Sequence, residues 1–164
     1  MTRGDVTILN SGAIDDLVAT ARSSPRRRKN HNFHRRLDDP IQRFLNAAEP
    51  GSYVCPHRHA ADRWELFAVL RGRIDLVLFT DDGAVEQRVT AVPGGDMVEI
   101  PGQCWHSFVV GASGTVTLEV KPGPYIAASD KEFAPWAPRE GDAAARRFLK
   151  WLGAAKPGER WIQL

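Results

Sequence analysis

Cysteine is scarce in this chain. Only Cys55 and Cys104 occur among 164 residues, too few to staple a domain of that length, so a reducing compartment is expected. Long apolar runs are missing as well. No stretch approaches the roughly 20 residues that a membrane-spanning helix needs, and the N-terminal stretch through Gly12 lacks the apolar core of a secretion signal. These absences exclude a disulfide scaffold and a helical membrane protein, and they predict a cytoplasmic location. There is no fixed-period repeat, which excludes a solenoid, and no low-complexity tract. Net charge is also small, at +2.

What is present is the composition of an ordinary globular protein, with 43% hydrophobic and 26% charged residues and five Trp for a core. The length fits one domain. The small net charge hides an uneven distribution, because Arg26, Arg27, Arg28, Lys29, Arg35 and Arg36 crowd one stretch. No nucleic-acid module or basic heptad helix accompanies them, so a solvated or anion-facing segment is expected rather than a nucleic-acid partner.

Asp15 to Arg22 has helical spacing, and Ser23-Ser24-Pro25 stops it. Periodicity leaves Ile41–Ala47 open between strand and helix. From Tyr53 onward, short apolar runs alternate with turn residues: Trp64–Leu70, Ile74–Phe79, Val85–Val92, Met97–Ile100, Ser107–Val110 and Thr115–Lys121. This is the pattern of an antiparallel sandwich or barrel. A last helix is predicted over Gly141–Leu152, with Ala145, Phe148, Leu149 and Leu152 on one side, packing on the barrel exterior. The expected division is 1–50 for an N-terminal helix and strand extension, 51–125 for the barrel and 126–164 for a C-terminal helical extension.

His57 and His59 stand two residues apart, so on an extended chain their rings leave the same face. Glu65 opens the next apolar run, and His106 follows the Pro101-Gly102 turn on a run able to lie beside the first. Three neutral imidazoles and a carboxylate give a divalent ion four donors of borderline hardness, which suits Fe, Mn, Ni, Zn, Co or Cu. On an ion preferring six ligands, two positions would remain for water, dioxygen or a chelating substrate.

This spacing resembles the two cupin motifs. Gly51, His57, His59, Glu65 and Gly72 match the first, with a longer interval between His59 and Glu65. Gly95, Pro101 and His106 match the second, although its glycine stands at Gly102, directly after the proline, and Val110 fills the terminal asparagine position. The runs Ser24–Asn30, Gln42–Ala47, Pro56–His59, Val98–Pro101, Trp105–His106, Glu119–Tyr125 and Asp130–Pro138 resemble, more narrowly, the WbuC family of cupin-fold metalloproteins. That resemblance implies a mainly β cupin (double-stranded β-helix, or jelly-roll) barrel holding one divalent metal ion, and a place near surface-polysaccharide biosynthesis. By analogy with the fold, a homodimer is expected.

Other side chains are candidates around that centre. Glu119 and Lys121 share one face of a strand and form either an exposed ionic face or a polar pocket wall for substrate. Among Arg28, Asn30, Arg43, Arg58 and Arg63, the residues expected to clamp an anionic or sugar-derived small molecule are Arg43 and Arg58, which sit in or just before the His57–His59 run. Glu99 and Tyr125 are the proton-transfer candidates, while His31 and His34 are expected at the surface. Cys55 and Cys104, each two residues before a histidine of the set, would approach one another if those histidines face across neighbouring strands. Two functions compete. One is a metal-dependent isomerase, epimerase or dioxygenase acting on a sugar-derived or carboxylate-bearing substrate. The other is a non-catalytic metal-dependent module binding a saccharide or nucleotide sugar; a purely structural metal ranks behind both.

Overall fold

The computed structural model describes residues 6–162. Helix α1 (Ser11–Ser23) is followed by β1 (Arg28–Asn32), β2 (Ile41–Ala48), β3 (His57–Arg58), β4 (Glu65–Arg71) and β5 (Ile74–Phe79). Then come β6 (Val85–Ala91), β7 (Val98–Ile100), β8 (Trp105–Val110), β9 (Thr115–Pro122), β10 (Glu132–Phe133) and α2 (Ala145–Ala154). The strands form two five-stranded antiparallel sheets, in the orders β1-β2-β9-β4-β7 and β10-β3-β8-β5-β6. This is the mainly β cupin jelly roll expected, with one helix before and one after the barrel strands.

The strand boundaries from β4 to β9 lie within a residue or two of the apolar runs. The open segment Ile41–Ala47 resolves as part of strand β2, which pairs along its whole length with β9. Tertiary pairing decides what local periodicity left undetermined. The basic stretch also contributes a strand, β1, which lies against β2.

Each sheet is covered outside by a helix. The Asn10 side chain caps α1 by accepting from the Ala13 amide at 3.0 Å. Leu17, Val18 and Ala21 of α1 pack on Leu45, Ala47 and Val116, which leave the outer face of β2 and β9. Phe148 and Leu152 of α2 are fully buried with Val77, Phe79 and Trp105 of the other sheet and with Tyr53 from the segment before β3. Each such side chain contributes roughly 1.5–3 kcal/mol through removal from water. Because both outer faces are apolar, the inner face of the first sheet is free to carry polar groups. The hairpin joining β4 to β5 turns at Gly72 (φ 78°), where a Cβ would fall 2.8 Å from the Thr115 Cα, so only glycine fits. Among the described residues, no helix is long and apolar enough to cross a membrane.

Candidate metal centre

Strand pairing assembles the cluster. His57 of β3 sits directly opposite His106 of β8, and their ring centroids lie 4.3 Å apart. His59 follows β3 and projects to the same side as His57. Glu65, the first residue of β4, arrives from the other sheet. All four are at most 4% exposed, and their candidate ligand atoms lie within 4.8 Å of one another.

Backbone carbonyls hold the imidazoles in place. Nδ1 of His57 lies 3.0 Å from the Cys55 carbonyl, and Nδ1 of His106 lies 2.9 Å from that of Cys104. Nδ1 of His59 pairs with the Asp130 carbonyl. A carbonyl only accepts, so each Nδ1 carries the proton and each Nε2 presents a lone pair. Nε2 of His59 and Nε2 of His106 have no hydrogen-bond partner, although each lies 3.0 Å from an oxygen of Glu65. Short contacts among acceptors are unfavourable unless a cation sits between them. Two donors at right angles, each about 2.1 Å from a common ion, lie roughly 3.0 Å apart, so the residues fit a divalent metal.

The electrostatics agree. Burial holds the His57 imidazole well below its ordinary value, with Lys131 and His106 adding to the effect, so it is neutral at neutral pH. Burial acts against the Glu65 carboxylate, and the neighbouring charge of Lys121 favours its ionised form. Lys121 Nζ lies 3.3 Å from Glu65 and 3.3 Å from Asp130. Glu119 behaves oppositely, because burial and the Glu65 charge push it up to about 8. Its Oε2 accepts from Asn46 Nδ2 at 2.7 Å.

Beside the cluster opens a cavity of about 700 Å³. Lys121, Asp130 and Phe133 line it, and each also touches a cluster residue. Alternation along β1, β2 and β9 supplies much of the wall: Asn30 and Asn32, then Phe44 and Asn46, then Thr117 and Glu119. Glu119 and Lys121 of β9 both line this cavity.

Several expected positions fall elsewhere. Arg43 is exposed, because alternation sends Phe44 and Asn46 inward and Arg43 outward. Arg58 likewise points away from its neighbours His57 and His59. It pairs with Glu132 at 2.7 Å and stacks on Trp105 at 4.4 Å, outside the cavity. Arg63 donates to the Pro122 and Pro124 carbonyls. Glu99 faces solvent on β7 and does not line the cavity, whereas Tyr125 does. Arg28 and Asn30 are also cavity residues. His34, expected at the surface, is buried in the wall with Nδ1 3.1 Å from the Arg43 amide nitrogen. The thiols do not approach: antiparallel register around the His57–His106 pair sends Cys55 and Cys104 in opposite directions, roughly 13 Å apart along the strands. They belong to separate packing clusters.

Three residues carry features that sequence reasoning missed. Asn32 and Asn46 become visible once β1 and β2 are read as strands with period two. The Asp130 carbonyl, which orients His59 from 71 positions away, has no local sequence signal.

Two five-stranded antiparallel sheets with three imidazoles and a carboxylate gathered between them form a cupin-like jelly roll. Residues 9–91, just over half of the chain, match the family described as "Domain of unknown function (DUF6016)", and the chain belongs to that family. The chain is 28% identical over 76 residues to the "Probable low-salt glycan biosynthesis epimerase Agl13" of Haloferax volcanii, covering 43% of this chain and 49% of that protein. It thus spans about half the length of this curated relative. The capsular polysaccharide assembling protein CapF from Staphylococcus aureus is similar in structure, with a TM-score of 0.54 and 20% identity over 63% of this chain and 28% of that one. A cupin superfamily protein from Desulfitobacterium hafniense DCB-2 superposes with a TM-score of 0.46 and 17% identity, over 58% and 76% of the two chains.

Proposed function

We propose that this chain is a metal-dependent cupin enzyme of the WbuC type, acting on a small sugar-derived substrate in surface-polysaccharide biosynthesis. One observation carries the reading. Four buried side chains from β3, β4, β8 and the residue after β3 present acceptors to a common point, with the three Nδ1 positions committed to carbonyls. The glycan-related names of the Haloferax epimerase and the Staphylococcus capsular protein support the choice of substrate class.

His57, His59, Glu65 and His106 would hold the ion. A bound divalent ion supplies Lewis acidity toward a carbonyl or hydroxyl oxygen, or a site that activates dioxygen. The chain's own residues do the rest. The amide and hydroxyl groups of Asn30, Asn32, Asn46 and Thr117 orient hydroxyl groups of the substrate. Glu119, positioned by Asn46, and Tyr125 are the cavity groups placed to carry a proton, as an epimerisation or isomerisation requires.

The test is turnover. Protein stripped with a chelator and reloaded separately with Fe(II), Mn(II), Ni(II) or Zn(II) is incubated with nucleotide sugars in D2O. The substrate is then followed by proton NMR. Metal-dependent conversion or carbon-bound hydrogen exchange is expected. Fully loaded protein that binds these sugars but converts none would replace this reading with the non-catalytic binding module.

A further inference from the structure

The cavity carries more positive than negative charge. Five cations line it, Arg26, Arg28, Lys121, Lys131 and Arg139, against the three carboxylates Glu119, Asp130 and Glu140. Lys121 is surrounded by Glu65, Glu119 and Asp130 within 3.7 Å, so its charge is neutralised on the spot. Of the remaining cations, Arg26 and Arg28 pair with Glu140, and Arg139 lies over the Phe133 ring at 4.6 Å.

Glu140 is held as an anionic ligand would be. Arg26 grips both of its oxygens at 2.8 Å, and Arg28 adds a third contact at 2.7 Å. Two guanidinium groups on one carboxylate leave a net positive site. Arg28 is held ready to bind an anion, since its side chain is 18% exposed and its other amino group donates to the Tyr53 carbonyl at 2.8 Å and to the Ser52 hydroxyl at 3.3 Å. Glu140 is less buried than Arg28. It lies in the irregular segment between β10 and α2, and its side chain is 37% exposed. The same wall carries Asn30, Asn32, Asn46 and Thr117, neutral donors and acceptors suited to hydroxyl groups.

We infer that Arg26 and Arg28 form the cavity's anion seat and that Glu140 marks it: the carboxylate or phosphate of a polyhydroxylated ligand takes the place of Glu140 between the two guanidinium groups. The ligand is therefore an acidic sugar, either a uronate or a sugar phosphate, rather than a neutral one. This deepens the proposed function and rests on its reading of the cavity as the substrate site.

Calorimetric titration of zinc-loaded protein with D-glucuronate, D-glucose 1-phosphate and D-glucose tests the inference. Removing the internal competitor with Glu140→Gln is expected to tighten binding of the anions by on the order of tenfold and to leave glucose unchanged. Arg28→Gln is expected to weaken both anions by a similar factor. Arg26→Gln, at a more exposed position, gives the same direction if the Arg28 variant folds poorly. The anion that gains more identifies the class. A Glu140→Gln protein that binds neither anion more tightly than wild type, or that gains equally for glucose, overturns the inference. Metal content measured on the same samples separates the two readings, because full metal loading with no anion response counts against the seat alone. Wild type that retains no metal counts against the proposed function.

Discussion

Glu49 shows how much a single side chain carries away from the cavity. It is buried just after β2, accepting from the Ser113 hydroxyl at 2.6 Å, the Gly114 amide at 3.0 Å and Arg22 of α1 at 3.2 Å. Burial opposes its charge, but the donors from Ser113 and Gly114 and the Arg22 charge together hold it below its ordinary 4.5. A carboxyl with a depressed folded-state pKa stabilises the fold fully above its unfolded value, and that contribution disappears as pH falls through the folded value. Glu49→Gln is therefore expected to cost roughly 1–3 kcal/mol at pH 7, with the gap from wild type narrowing in acid. Urea unfolding at neutral and acid pH measures it; a gap that stays constant with pH would contradict the assignment. At this scale the four cluster residues are legible in the sequence, because His57, His59, Glu65 and His106 are chemically distinctive and sit at recognisable intervals. Arg43 and Arg58 mislead because closeness in sequence to His57 is not closeness in space: a strand sends adjacent residues to opposite faces.

Among the elements, the strands of the barrel can be read from apolar runs and turn residues, and the β9 face of Glu119 and Lys121 from its alternation. The β1 strand cannot, since Arg28–Asn32 has no apolar member and gains its place only by pairing with β2. The loops are the least legible, although one departure from the usual motif has a physical meaning. Gly102 packs against the loop after His59: a Cβ there would collide with the Ala60 carbonyl and lie 2.7 Å from that of Ala61. Its neighbour Gln103 donates to the His59 carbonyl from both backbone and side chain at 2.9 Å. Gly102→Ala is thus expected to displace His59 and weaken metal binding by roughly 10-fold or more, while leaving the barrel folded. Competition against a coloured chelator reads the affinity, with circular dichroism as the check on fold. Unchanged affinity would mean that this loop does not position His59.

Across the whole molecule, the cluster joins what the two helices keep apart. α1 and α2 pack on opposite outer faces, and Glu65 from one sheet meets His57, His59 and His106 from the other. An ion held there would tie the sheets together, so its removal is expected to lower the unfolding temperature as well as any activity. The most direct measurement is elemental analysis of untagged wild type beside Glu65→Gln and His106→Ala, with unfolding temperatures recorded before and after chelation. About one divalent ion per wild-type chain is expected, with strongly reduced metal in both variants and a chelation-dependent drop in unfolding temperature confined to wild type. Variants that hold as much metal as wild type would contradict the account.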